Sequence, residues 1–248
     1  MSFEPLQWIM AVLGALMVGV SKSGIAGLSI LSVALFTHVL PSSKQASGIV
    51  LPLLIFGDFV AVFSYRRHIR WRYLWRLFPF TAAGVVLGYF TLGAVSDAFA
   101  RLMIGAIIVS LALLSFWRRH RSVPPNEPSA HGSWVFAASV GVIAGFITLI
   151  ANAAGPLMAI YLVSMRLPKL EYVGTGAVFF MCLNLFKVPF MINLGLITPH
   201  SFAFNLILAP AVVLGAFAGR WMVVRINQTL FDNLVLILSA IAGVLLLL

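Results

Sequence analysis

The chain has 248 residues, 62% of them hydrophobic and 9% charged, with a mean hydropathy of +1.07. Soluble domains are about 45–50% apolar and about 25% charged, so this composition excludes a water-soluble globule and predicts an integral membrane protein. The net charge of +10 would suggest a nucleic-acid partner in a soluble protein, but in a membrane chain it reads first as loop topology.

The N-terminus carries Glu4 where a signal peptide has a basic region. No small-x-small cleavage site follows before Lys22, so no cleavable signal is predicted. A crossing helix needs about 20 apolar residues. The first half offers 6–20 joined to 24–40, then 45–64, 76–95 and 98–117. The second half offers 134–151 joined to 156–165, then 173–192, 201–219 and 229–248. Between them lies RRHRSVPPNEPSAHGS, rich in Pro, Ser and charge. This divides the chain into a first transmembrane repeat at 1–117, a linker at 118–133 and a second repeat at 134–248.

Cations place the loops. Residues 65–76, the linker, 166–171 and 220–227 hold 12 of the 16 Lys and Arg. Short cytoplasmic loops collect these residues, so all four segments are expected in the cytoplasm, with both termini outside. The interrupted run 6–40 must then start and end outside, and the run 134–165 must start and end inside. Each is predicted to be a broken-helix hairpin followed by three crossings, and the two enter from opposite faces.

The halves match weakly but in order. Gly19 corresponds to Gly145, Gly27 to Gly155, and Leu40-Pro41 to Leu167-Pro168. Pro79, Gly84 and Gly88 correspond to Pro210, Gly215 and Gly219. The predicted fold class is an all-α membrane protein with an inverted-topology repeat, a plan in which substrate binds where the broken helices meet.

The breaks carry the chemistry. In SKSGIAG, Ser21, Lys22 and Ser23 offer donors, while Gly24 and Gly27 allow close backbone approach. A half-helix starting near Gly24 would aim free N–H groups at an anion. In IANAAGP, Asn152 can cap or bind, Gly155 is small, and Pro156 suits the first turn of a new helix. Blander readings compete: Lys22 at a shallow tip or snorkelling, glycines serving helix packing, and Asn152 as a cap. Deeper in the apolar segments lie Asp58 and, as further substrate-binding candidates, Asn184 and Lys187. A charge at a membrane helix centre costs at least about 2.5–3.5 kcal/mol, so each needs a partner or a function. Asp58 either neutralises Lys22 or Lys187, or in addition couples transport to proton movement.

Other chemistries find little support. Cys182 is the single cysteine, which excludes an internal disulfide. The five histidines lack metal-ligand spacing, and no catalytic triad, phosphate loop or dinucleotide motif stands in a plausible context. No cofactor and no metal are expected.

VGVSKSGIAGLSILSVALF, GFITLIANAAGPLMAIYLV and LPKLEYVGTGAVFF resemble the TauE/SafE, or sulfite exporter, family of membrane anion exporters. The resemblance covers nearly the whole chain outside the linker, and NAAGP before an apolar half-helix is its most specific element. It implies a bacterial inner-membrane carrier for sulfite, organosulfonates such as sulfoacetate, or short carboxylates, driven by a proton or sodium gradient. SKSG departs from the plain Ser-Gly expected there, and its lysine would tune the site toward a more anionic ligand. The expected partners are a small anion and the bilayer, without nucleic acid; a homodimer stays open. A passive anion channel and a non-transporting membrane enzyme or assembly subunit are the alternatives.

Overall fold

The computed structural model describes residues 4–23, 28–39, 43–91, 134–152 and 154–247, with isolated positions 106, 109, 110 and 113. Apart from those isolated positions, the expected crossing at 98–117 lies outside the described residues, as do the linker, Gly24, Gly27 and Leu40-Pro41. The described elements are α1 (Pro5–Lys22), α2 (Leu28–Val39), α3 (Ser43–Tyr65), a short 3-10 turn (Arg66–His68) and α4 (Trp71–Thr91). They continue with α5 (Trp134–Ala151), α6 (Ala154–Ser164), α7 (Lys169–Asn193), α8 (Pro199–Arg225) and α9 (Gln228–Leu247). No strand occurs among the described residues. Among the described residues, four helical stretches are long and apolar enough to cross a membrane: Pro5–Lys22, Gly48–His68, Lys169–Asn193 and Pro199–Arg225. The protein is an all-α membrane protein.

Local chemistry sets the helix ends. Pro5 opens α1 at a position where a missing N–H costs nothing, and Gln7 accepts from the Glu4 N–H at 3.0 Å. Helix α5 stops where Asn152 turns to φ 50°, a left-handed conformation that asparagine tolerates better than most residues. Two residues later α6 begins, with Pro156 in its first turn. Thus 134–164 is a broken pair of helices, as expected, and α1 and α2 flank the first break.

The basic segments gather at one end of the bundle. Arg70 grips Glu171 with two hydrogen bonds of 2.7 and 2.5 Å, and Arg220 stacks 5.8 Å from the Tyr65 ring. Lys169 donates to the Val224 and Ile226 carbonyls, and Arg76 lies over Trp134. At the opposite end Trp8 meets Phe204, and Asn193 donates to the Tyr89 hydroxyl at 2.6 Å. One detail differs from the expectation that 65–76 and 220–227 are loops: Arg72 and Arg76 already belong to α4, and Arg220 and Arg225 to the last turns of α8. Long cationic side chains reach the interface from a helix, so charge marks the water boundary without ending the helix.

Two helix pairs pack backbone to backbone through glycine. A Cβ on Gly19 of α1 would lie 2.0 Å from the Val212 oxygen and 2.6 Å from the Ala216 nitrogen of α8. A Cβ on Gly145 of α5 would lie 2.0 Å from the Thr81 oxygen and 2.8 Å from the Val85 nitrogen of α4. The reciprocal contacts match as well, Gly215 against the Leu16 oxygen and Gly84 against the Val142 oxygen, each at 2.1 Å. Only glycine fits these positions, which is the small-residue packing characteristic of membrane helices. Helices α3 and α7 run between the α1–α8 and α4–α5 pairs. The α1 tip ends early: Gly219 of α8 faces Ser23, and about 9 Å of α8 continues beyond it at 1.5 Å per residue.

Candidate functional site

A chain of polar side chains crosses the middle of the bundle. Asp58 of α3 is fully buried, with Oδ1 2.8 Å from the Lys22 ammonium at the α1 tip. Its Oδ2 accepts a 2.7 Å hydrogen bond from Asn184 Nδ2 of α7. One turn further along α7, the fully buried Lys187 donates to Asn152 Oδ1, just past the end of α5, at 2.5 Å and to Thr148 Oγ1 of α5 at 3.1 Å. It also reaches Asn184 Oδ1 at 3.5 Å. The network therefore ties the tip of one hairpin, through α3 and α7, to the tip of the other.

Each member is held by something the sequence provides. Gly57 precedes Asp58, and a Cβ there would come 2.9 Å from Lys22 Cγ, so its absence lets the lysine stem lie along α3. The Lys22 ammonium also sits 4.7 Å from the centre of the Phe180 ring, a favourable place for a cation. With both lysines protonated, two lysines and one carboxylate give the centre one formal positive charge in excess. In a low-dielectric interior that excess attracts an anion strongly.

A cleft adjoins the network, enclosing about 640 Å³ of space between atoms, open solvent at its mouth included. Ser21, Lys22, Asp58, Asn152 and Asn184 give it polar walls, and Gly155 and Gly176 widen it. Along α7 its lining runs from Asn184 to Tyr172, about 18 Å of helix toward the basic end. In the other direction, along α3, it reaches only Leu54, one turn beyond Asp58. At its head an ammonium, two amides and a hydroxyl come together, groups of the kind that bind a small anion.

The sequence-derived residues divide clearly. Lys22, Ser21, Asn152, Gly155, Asn184 and Asp58 line the cleft. Lys187 does not line it and acts from behind Asn152 and Asn184. Ser23 does not line it either: its hydroxyl donates to the Ala216 carbonyl at 2.6 Å and fastens the α1 tip to α8. The Ser21 hydroxyl donates to the Val18 carbonyl at 2.7 Å. Sequence reasoning passed over Thr148, Phe180 and Gly57. Thr148 stands one turn before Asn152, a spacing that brings both to the same side at the end of α5 and could have flagged it.

Residues 11–246 match the model of the family described as the sulfite exporter TauE/SafE. The chain belongs to that family. Membership of TauE/SafE makes it a membrane transporter, and the match spans both hairpins and every residue of the polar network. No curated protein matches the chain.

Proposed function

We propose that this TauE/SafE protein is a secondary transporter that exports a small anion by alternating access: sulfite, an organosulfonate such as sulfoacetate, or a short carboxylate. The observation that carries the reading is the Lys22–Asp58–Asn184–Lys187–Asn152 chain, with its excess positive charge, beside a cleft that both hairpin tips reach. Family membership supports export of an anion. The paired glycine contacts of α1–α8 and α4–α5 support two halves of inverted topology. In that arrangement each tightly packed pair can move against α3 and α7, with Lys22–Asp58 and Lys187–Asn152 as the links that break and reform. The basic end faces the cytoplasm of a bacterial inner membrane and both termini face outward, as short basic loops favour.

Asp58 couples this movement to protons. The anion competes with the Asp58 carboxylate for Lys22, and protonation of Asp58 releases the lysine to the anion. The test is sulfite and sulfoacetate flux in proteoliposomes. A carrier accumulates the anion against its gradient when a proton gradient is imposed, whereas a passive channel only equilibrates it. Flux that remains purely downhill, or a pH dependence unchanged in Asp58→Asn, removes the coupled reading.

A further inference from the structure

Asn205 of α8 stands apart from the polar chain. It is completely buried, and neither its Nδ2 nor its Oδ1 has a partner among the described residues. An amide left unpaired away from water costs about 1–3 kcal/mol, so this one calls for an explanation. The buried face of α8 that runs on from it is apolar. Leu208 and Val212 continue the same buried face of α8, packed in one cluster with residues of α1, α2 and α3 such as Phe36, Val50 and Leu53. Val212 lies against Gly57, where the Lys22 stem also runs. Helix geometry puts Asn205 about 10 Å from Val212, toward the end away from the basic loops. The cleft runs from the polar centre in the opposite direction.

We propose that Asn205 is a transit contact for the anion on the half of the pathway that is closed in this conformation. When the apolar cluster between α8 and α3 parts, the amide faces the opened passage, and its N–H groups donate to the passing anion and the water that accompanies it. The lone amide then has its partners in the outward-open state. The closed state leaves it unpaired, and this raises the closed state's free energy. The inference rests on the alternating-access reading above and adds a specific residue to its outer half.

Thiol accessibility tests it directly. In a Cys182→Ala background, Asn205→Cys is treated with a membrane-impermeant thiosulfonate reagent from the side opposite the basic loops. Val223→Cys, buried near the basic end, is the control. Asn205→Cys should label at least about tenfold faster than the control; labelling at the control's rate overturns the proposal. A second variant guards against misfolding. Asn205→Leu removes the unpaired amide and should keep or raise thermal stability, while sulfite flux falls about tenfold, as loss of hydrogen bonds to a charged group predicts. A Leu variant with wild-type flux also overturns the proposal, since Asn205 would then be only a site for a structural water. Labelling needs no substrate. A wild type that moves neither sulfite nor sulfoacetate, yet labels at Asn205→Cys, therefore refutes the anion-carrier reading and leaves an opening passage at Asn205 standing.

Discussion

Asp58 and Asn184, 126 residues apart, meet in a 2.7 Å hydrogen bond. The same separation carries Gly19 to Gly145 and Leu16 to Val142, residues that occupy matching places in the two glycine-packed pairs. In the inverted-repeat arrangement proposed above, residues at equivalent positions of the two halves touch each other only near the axis relating them. The acid and amide thus stand at the centre of the bundle, and the lysines on either side reach out to opposite hairpin tips.

That placement makes Asp58 the most sensitive position in the core. Asp58→Asn leaves the Lys22 ammonium buried opposite a neutral amide. Breaking a buried pair from one side costs about 3–5 kcal/mol, because one charge loses its compensation. The Lys22→Met, Asp58→Asn double variant removes both charges and should recover most of that loss while remaining inactive in transport. Thermal unfolding in detergent measures both. A double variant as unstable as the single one would mean that the ion pair is not what Asp58 contributes.

The glycine pairs give a prediction independent of any ligand. An alanine at Gly19 or Gly145 brings a methyl group to 2.0 Å from a carbonyl oxygen, so the helices must separate. Both variants should lose comparable stability, in the several kcal/mol expected of overpacking without room to relax. Gly195 is the contrast: it has φ +68° but nothing within 4 Å, so Gly195→Ala bears only a left-handed backbone penalty of about 1–2 kcal/mol. Melting temperatures that rank Gly195→Ala below the other two would refute the packing account.

The helix break within 134–164 and the gathering of basic segments were legible in the sequence because hydropathy, Gly and Pro breaks and Arg placement are local signals. So were Lys22, Asp58, Asn152, Asn184 and Lys187, since a polar group in an apolar run stands out. Their pairing was not. The sequence left Asp58 free to neutralise either lysine, and only the fold assigns it to Lys22 and gives Lys187 to Asn152 and Thr148. Ser23 misled for a related reason: a hydroxyl at a helix break looks like a ligand donor until Ala216 is seen to accept from it. Asn205 drew no notice at all, because a single Asn in α8 resembles an ordinary helix-packing amide until its lack of a partner is known.

Lys187 should govern anion affinity without touching the anion. Lys187→Met cancels the excess positive charge and leaves Lys22–Asp58 intact. Sulfite affinity, read as the concentration dependence of its thermal stabilisation, should weaken by at least about tenfold, or 1.4 kcal/mol. The loss should shrink at high ionic strength less than a surface effect would, since buried charges are poorly screened. Equal sulfite affinity in the variant would place the attracting charge elsewhere.

Cleft width should decide which anions pass, and Gly176 allows that to be tested without disturbing the fold. It lines the cleft, and a Cβ there meets only Leu162 at 3.4 Å, an ordinary contact. Gly176→Ala gains up to about 1 kcal/mol of helix propensity, so its stability should hold or rise. The methyl group takes its space from the passage. Gly176→Val takes more and adds a branched side chain facing Leu162. Flux of sulfoacetate, the bulkier probe, should therefore fall from Gly to Ala to Val more steeply than flux of sulfite, with the ratio of the two rates as the readout. If both rates fall in parallel, the substitutions act on helix movement and not on the width of the cleft.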